Sequence, residues 1–217
     1  LDLGGIEIRS NGYVVGAGVT LQELSDHTAL PVALSRAAGF IPTRSVRNVA
    51  TIGGNVGACR PDSYLIPALI ALEAQAETTE GTLSVEDYVA GARDALILRF
   101  HIPAVEGVCR AVKESRSHVA LPVVSAAVKI VPEGRNGRAV RRAVVAAGCV
   151  AERTVRLERV ESGIVSGDLT EREELERAIA ESVSPEADVL GSAEFKRYLN
   201  SVVITDCIRA CIREVFS

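Results

Sequence analysis

Two adjacent glycines, Gly53 and Gly54, lie between a β-branched residue and an asparagine in the string Thr51-Ile52-Gly53-Gly54-Asn55. Glycine has no Cβ, so it adopts positive φ at little cost and lets another molecule approach the main chain closely. Successive backbone N–H groups in such a segment can converge on an anion. The string therefore predicts a tight loop that binds phosphate; the alternative is a tight turn or bulge without a ligand.

The side chains on both flanks of the glycine pair favour a dinucleotide over an empty turn. A pyrophosphate is bound by backbone donors, by a hydroxyl such as that of Thr51, and by a nearby cation. A ribose or ribityl chain pairs with Asn and Asp side chains. The polar residues of these flanks are Arg44, Arg47, Asn48, Asn55, Arg60, Asp62 and Ser63.

The composition is that of a globular protein with a substantial core. Of the 217 residues, 47% are hydrophobic and 24% are charged, and the formal net charge is −4 with both signs interspersed. No apolar run approaches the roughly 18 residues of a membrane-spanning helix, so no membrane segment is expected. The start of the chain lacks a basic segment followed by an apolar one, so no signal peptide is expected. The absence of a basic stripe argues against nucleic acid as the partner.

Five cysteines are spread over the chain. An odd number without a compact framework is typical of a reducing cytoplasm. Cys207 and Cys211 are four residues apart in a predicted helix, where they either share a metal or, as we favour, pack in the interior. No four-cysteine set of the kind that binds a two-iron cluster is present, so any such cluster is expected on another chain. The histidines, His27, His101 and His118, are scattered and predict no metal site.

The first half of the chain predicts short strands and short capped helices. Ser10-Asn11-Gly12 between two β-rich runs predicts a hairpin, and Thr20 with Glu23 has the pattern of a capping box. Gly16-Ala17-Gly18 matches the Rossmann fingerprint poorly, since the third glycine is missing, and predicts a strand that ends in a turn. The other expected elements are a helix over Leu30–Ala38 that Gly39 ends, a helix over Leu65–Leu72, a strand over Ala74–Thr79, a short helix capped by Ser84, and a strand over Ala95–Ile102.

The pattern changes after Pro103–Gly107, which indicates a linker. Strands come first and amphipathic helices follow, which predicts a second domain of the α+β class. Thr170 with Glu173 has the pattern of a second capping box. The expected strands are Val108–Lys113, Leu121–Val131 and Ala139–Val150, with a turn at Glu133–Gly137, and the expected helices are Arg153–Ser162, Thr170–Ser182 and Ser192–Phe216.

The order of several motifs resembles a known family, the FAD-binding subunits of molybdenum hydroxylases, which include xanthine dehydrogenases and aerobic carbon monoxide dehydrogenases. The string Arg47–Asn55 is similar to the family's second flavin loop, and Gly16–Leu24 and Pro67–Ala74 are similar to the segments before and after it. The C-terminal half resembles the family's flavoprotein C-terminal domain. The segments that carry this second likeness are Ala111–Arg116, Ala146–Gly148 and Gly191–Val203.

The resemblance implies an α+β architecture of two domains. Residues 1–104 would form an FAD-binding domain of the vanillyl-alcohol-oxidase (PCMH) type, and residues 108–217 a C-terminal domain like that of the carbon monoxide dehydrogenase flavoprotein. The family's first flavin loop, a glycine-rich AGGT-like turn, has no counterpart in this sequence. The first domain is therefore expected to be truncated at its N-terminus.

The resemblance also implies the cofactors and partners. A molybdopterin-binding large subunit would supply electrons to the iron–sulfur clusters of a small subunit. FAD would take these electrons from the clusters and pass them to NAD or another acceptor. The protein would be cytoplasmic, and none of its side chains would act as a catalytic acid or base or hold a metal. The expected FAD-binding residues are Thr51, Ile52, Gly53, Gly54, Asn55, Asp62, Ser63 and Lys113.

Two departures from the family pattern concern these residues. Without a gap, Tyr64 rather than Asp62 would stand at the family's aspartate, and Ala111 stands where an aromatic residue usually precedes the lysine by two positions. Two other functions stay open. One is a stand-alone flavin-dependent reductase with the same N-terminal fold, and the other is a degenerate subunit that has lost flavin and serves assembly.

Overall fold

The computed structural model describes residues 3–91, 95–134 and 139–217. Its first half contains a five-stranded antiparallel sheet in the order β1-β2-β5-β3-β4. In chain order the elements are β1 (Ile6–Arg9), β2 (Gly12–Gly16), α1 (Leu21–Asp26), α2 (Val32–Gly39), α3 (Arg44–Arg47), α4 (Ile52–Gly57), α5 (Leu65–Ala71), β3 (Gln75–Thr78), β4 (Gly81–Ser84), α6 (Val85–Ala90) and β5 (Ile97–Pro103).

The predicted hairpin and the first predicted capping box are confirmed. Arg9 pairs with Gly12 across the turn. Gly12 has φ +144°, and a Cβ there would lie 2.1 Å from the carbonyl oxygen of Ile102, so only glycine fits. At the start of α1, the Thr20 hydroxyl accepts a hydrogen bond from the Glu23 N–H, while the Glu23 carboxylate accepts one from the Thr20 N–H. These local signals depend on neighbours in the chain, which is why the sequence was enough to find them.

The predicted stop of α2 at Gly39 is wrong. The helix includes Gly39, and Phe40 follows in a right-handed helical conformation with its N–H donating to the Ala37 carbonyl. The Phe40 ring packs edge-on against Tyr64, with 5.6 Å between the ring centroids. This long-range contact is one that the local sequence cannot show.

The second half contains a four-stranded antiparallel sheet in the order β6-β7-β8-β9 with helices packed on it. The prediction of an α+β second domain is therefore confirmed. The long α9 begins after Ser192, whose hydroxyl accepts a hydrogen bond from the Phe195 N–H. The elements are β6 (Val108–Glu114), β7 (Val124–Pro132), β8 (Val140–Gly148), β9 (Val155–Arg156), α7 (Glu158–Ser166), α8 (Arg172–Ser182) and α9 (Ala193–Val215).

Two details of the second half differ from the prediction. Val155 and Arg156 form the short strand β9 on the edge of β8, so α7 begins five residues later than expected. The capping box of α8 uses Glu171 and Glu174 instead of Thr170 and Glu173. A glutamate carboxylate can accept the same N–H bonds as a threonine hydroxyl. Most of the predicted turn at Glu133–Gly137 lies outside the described residues.

Small side chains join the two halves. Helices α2 and α5 of the first half pack on strands β6, β7 and β8 of the second. The buried cluster at this junction is mostly alanine, so the backbones of the two halves come close together. Its members are Ala33, Ala37, Tyr64, Ala68, Ala71, Ala111, Ala127 and Val144. Across the part of the chain that is described, no helix is both long and apolar enough to cross a membrane.

Candidate functional site

The glycine pair lies in the first turn of helix α4. Thr51 is the N-cap residue, and its hydroxyl oxygen accepts a hydrogen bond from the Gly54 N–H at 3.1 Å. The N–H groups of Ile52 and Gly53 donate to the carbonyl oxygens of Val19, at 3.0 Å, and Ala17, at 2.9 Å. All three N–H groups therefore have partners within the chain. The expectation that the glycine N–H groups converge on an anion is wrong, because the Ala17 carbonyl and the Thr51 hydroxyl already accept hydrogen bonds from them.

The two glycines have different surroundings. A Cβ on Gly53 would lie 2.6 Å from the Cβ of Ala17 and 2.8 Å from its carbonyl oxygen, so glycine is required there for packing. Gly54 and Gly57 are exposed, one turn apart on α4, and Ala58 beside them is exposed too. This stretch of the helix carries almost no side chain, so another molecule can lie directly against its backbone.

Asn55 borders this bare surface, and its side chain is hydrogen-bonded to Ser63 on the interior side. The Ser63 hydroxyl donates a hydrogen bond of 2.6 Å to the Asn55 Oδ1 atom. The same hydroxyl accepts hydrogen bonds from the N–H groups of Leu65 and Ile66, both at 3.2 Å, and so caps helix α5. Ser63 is buried, and Ile52 is fully buried in the core of the first half. Both residues thus lie behind the surface that Gly54 and Asn55 present.

The Asp62 carboxylate is held by Arg60 in a two-bond ion pair, with both N–O distances 2.8 Å. Both side chains line a cavity of about 330 Å³ between the turn after α4, the end of β8 and the region before α9. The buried ammonium of Lys196 and the thiol of Cys149 line the same cavity. Burial raises the pKa of Cys149 to about 12, so this thiol is protonated at neutral pH.

The other arginines near the loop have different partners. Arg47 donates to the Gln22 side chain at 2.9 Å and to the carbonyls of Ile41 and Pro42, so it fixes the chain that leads into α3. Arg44 is exposed. No hydrogen bond or ion pair joins the Arg44 guanidinium to another described residue. Of the arginines at positions 44, 47 and 60, Arg44 is thus the one that can turn to an added anion without losing a contact in the described structure.

Lys113 lies at the junction of the two halves, where it is partly buried. Its ammonium donates to the Phe40 carbonyl at 3.1 Å and lies 5.6 Å from the Tyr64 ring centroid and 5.9 Å from that of Phe40. Ammonium groups at such distances from a ring are attracted to its face. Burial raises the pKa of Tyr64 to about 12, so its phenol keeps its proton at neutral pH. The aromatic neighbours that the sequence lacks at Ala111 thus come from α2 and the start of α5.

Sequence reasoning missed several residues around this site. Phe40 and Tyr64 are distant in sequence from Lys113, so no spacing pattern connects them. Ser125 donates to the Ser63 carbonyl at 2.7 Å. The only hydroxyl in the mostly apolar strand β7 was the available signal, because buried polar groups are paired.

Comparison with known proteins identifies the family. The profile described as the FAD binding domain in molybdopterin dehydrogenase matches residues 1–105, and that of the CO dehydrogenase flavoprotein C-terminal domain matches residues 110–211. The uncharacterized protein YgfM of Escherichia coli K12 is 35% identical over 213 residues, which are 97% of this chain and 77% of the relative. The chain belongs to the FAD-binding subunits of molybdenum hydroxylases.

Two solved structures share the fold. Quinoline 2-oxidoreductase from Pseudomonas putida 86 has a TM-score of 0.86 at 19% identity, covering 99% of this chain and 80% of that one. Carbon monoxide dehydrogenase from Hydrogenophaga pseudoflava, in a form without the Mo-pyranopterin moiety, has a TM-score of 0.87 at 21% identity, covering 98% and 79%. These two likenesses show that the chain has the same fold as chains of both enzymes.

The surface around α4 fits the FAD that the family implies. Gly54 and Gly57 leave the backbone bare, and a Cβ on Gly54 would add bulk there, 3.2 Å from the Thr51 hydroxyl oxygen. Among the described residues no acceptor takes a hydrogen bond from the Asn55 side-chain amide or the Thr51 hydroxyl, so both remain as donors. In the same part of the chain, no group of three or more His, Cys, Asp or Glu side chains is placed to hold a metal ion.

The helical cysteines pack in the interior, as favoured from the sequence. Cys207 and Cys211 are buried free thiols on α9. The Cys211 thiol lies 3.7 Å from the Val128 carbonyl, and the Cys207 thiol 3.9 Å from the Arg110 carbonyl. The hydrogen bond with Cys207, together with burial, raises the pKa of Cys211. Both sulfurs therefore belong to the contact between α9 and the second sheet.

Proposed function

We propose that this chain is the electron-transfer flavoprotein subunit of a cytoplasmic molybdenum hydroxylase of the xanthine dehydrogenase type. Its partners would be a molybdopterin-binding large subunit and an iron–sulfur small subunit, and NAD or another molecule would be the acceptor. FAD, when bound, supplies the redox chemistry; the protein's part is to bind it, orient it and exclude water. We divide the chain into an FAD-binding domain over residues 1–104 and a C-terminal domain over residues 108–217.

The observation that carries the proposal is the bare, donor-bordered surface of α4 in a chain of this family. Gly54 lets the cofactor reach the helix, and Thr51 and Asn55 offer the hydroxyl and amide donors that phosphate or ribityl oxygens accept. Ile52, Gly53 and Ser63 support this surface from behind. Lys113 would approach the flavin from the second domain, and Asp62 would act through its ion pair with Arg60.

A stand-alone reductase is the weaker candidate, because the C-terminal match over residues 110–211 is to the flavoprotein subunits. An assembly subunit without flavin would share the same partners as our proposal. Flavin content separates the assembly subunit from the flavoprotein subunit that we propose, so it is the measurement to make first.

The test is FAD uptake by the full chain and by one glycine variant. We expect the purified protein to be yellow, to release FAD on heating and to co-purify with molybdenum and iron–sulfur chains. Gly54→Val should lower FAD affinity at least tenfold, because its side chain projects from the bare surface. Gly91→Val is the matched control, since a Cβ on that exposed glycine meets nothing within 4 Å.

Circular dichroism and thermal melting would show whether the Gly54 variant keeps its fold. A wild-type protein that is colourless and takes up no added FAD contradicts the proposal. Equal FAD affinity of the Gly54 variant and the wild type would remove α4 from the site.

A further inference from the structure

The hydrogen bonds of Ser63 decide how Asn55 is oriented. A hydroxyl has one hydrogen to donate and two lone pairs to accept with. In Ser63 the N–H groups of Leu65 and Ile66 occupy both lone pairs, each at 3.2 Å. The remaining bond to Asn55, 2.6 Å long, must therefore be donated by Ser63.

A donor on Ser63 requires an acceptor on Asn55, so the amide must turn its oxygen toward Ser63. The nitrogen of the same amide then points away from the interior. The oxygen and nitrogen of an asparagine side chain are assigned from such networks, and here the network admits a single assignment. No described residue accepts a hydrogen bond from the Asn55 Nδ2 atom, and it is not among the buried unpaired atoms, so it reaches solvent.

The second domain holds Ser63 in place. The Ser125 hydroxyl on β7 donates to the Ser63 carbonyl at 2.7 Å, and Ser125 is 1% exposed. Two residues earlier in the chain, the Pro61 carbonyl accepts a hydrogen bond from the Cys149 N–H at 2.8 Å. The turn that carries Ser63 is thus fixed at two points by the C-terminal domain.

We propose that Ser63 is a positioning residue that keeps Asn55 as a hydrogen-bond donor toward the oxygens of FAD. This inference rests on the proposed function and replaces the expectation that Ser63 itself contacts the cofactor. Its hydroxyl is fully used within the protein, so it acts on FAD only through Asn55. The acceptor is a phosphate or ribityl oxygen, both of which require a donor at this position.

The direct test changes Asn55 without disturbing Ser63. Asn55→Asp keeps the shape and the acceptor for Ser63 but removes the N–H donor and adds a negative charge. We expect FAD affinity of the full-chain apoprotein, measured by quenching of flavin fluorescence, to fall about tenfold or more, the loss typical of one hydrogen bond to a charged group. The melting temperature of the apoprotein should change little.

A double-mutant cycle tests whether Ser63 acts through Asn55. Ser63→Ala should weaken FAD binding about fivefold in the wild-type background and leave it unchanged in the Asn55→Ala background. Ser63→Thr retains the hydroxyl and should restore binding. Ser84→Ala is the control for a lost helix cap, since the Ser84 hydroxyl caps α6 by accepting from the Asp87 N–H at 2.9 Å; its FAD affinity should equal that of the wild type.

The outcomes separate this inference from the proposed function. If the wild type binds no FAD, the proposed function is wrong. If the wild type binds FAD but Asn55→Asp binds it equally well, or the effects of Ser63→Ala and Asn55→Ala simply add, the positioning role alone is wrong. Should Ser63→Ala fail to fold, Ser63→Cys, whose thiol fills the same space but is a weak donor, takes its place in the double-mutant cycle.

Discussion

Gly53 and Gly54 are neighbours in the chain, yet each is glycine for a different physical reason. Gly53 faces Ala17 inside the first domain, where a Cβ has no room, and Gly54 faces outward on α4. A sequence motif read as one unit therefore combines a packing requirement with a surface requirement. The two can be separated by measuring stability and binding independently.

Gly53→Ala should lower the free energy of unfolding by about 1–3 kcal/mol, the usual cost of forcing a methyl group into a packed interior. Gly54→Ala should change it by less than about 1 kcal/mol, because the helix preference of alanine offsets the close approach of its Cβ to the Thr51 hydroxyl oxygen, at 3.2 Å. Urea unfolding of the two apoproteins measures both values. Adding Ala17→Gly to Gly53→Ala should recover part of the loss, and no recovery would show that the contact with Ala17 is not the cause.

At the scale of elements, a buried carboxylate joins helix α7 to the second sheet. Glu161, 6% exposed, accepts a hydrogen bond of 2.9 Å from the Val145 N–H in β8 and is paired with Arg156 in β9. It supplies an acceptor to a stretch of β8 that the two-residue strand β9 is too short to cover. The Glu161 carboxylate thus accepts a hydrogen bond from β8 just beyond the part of that strand that β9 covers, and it pairs with an arginine of β9 itself.

Glu161→Ala should cost about 3 kcal/mol of stability, because it leaves a buried N–H without its acceptor and leaves Arg156 with only its 3.5 Å bond to Glu86. Glu161→Gln should cost less, since its amide oxygen still accepts from Val145. Denaturant unfolding with Glu158→Gln as the control measures this, as Glu158 is exposed on the same helix. Equal stability of Glu161→Ala and Glu158→Gln would contradict the role given to the carboxylate.

Signals that act over a few residues allowed most elements to be predicted. The Thr20–Glu23 capping box and the Asn11-Gly12 turn involve near neighbours, and their patterns were sufficient. The short strand β9 is recognised only by its pairing with Ala146 and Ala147 on β8, and Phe40 after α2 packs on Tyr64, which is distant in sequence. At the site, the string Thr51–Asn55 was found, but the use of its N–H groups by Ala17 and Val19 depends on tertiary structure.

At the scale of the whole molecule, Glu73 links the two domains. It follows α5 with φ +59°, an unusual conformation for a residue with a side chain. Its carboxylate lies 2.8 Å from the ammonium of Lys129 on β7 and is also paired with Arg142 on β8. Because the Lys129 side chain is only 5% exposed, its charge depends on this partner.

Glu73→Asn should lower the free energy of unfolding by about 3 kcal/mol, because it leaves the buried Lys129 charge unpaired. Asparagine tolerates positive φ, so the loss would not come from the backbone. Adding Lys129→Met removes the unpaired charge and should recover most of the stability. Glu106→Gln, which breaks the exposed pair with Arg141, is the control and should have little effect.

The alanines at the junction of the domains also determine how the interface responds to change. Alanine has no rotamers, so docking of the two domains costs almost no side-chain entropy at these positions. For the same reason, no neighbouring alanine can swing aside to make room for a larger residue. A substitution such as Ala68→Val would therefore push one domain away from the other. The distance between the two domains is thus set by single methyl groups.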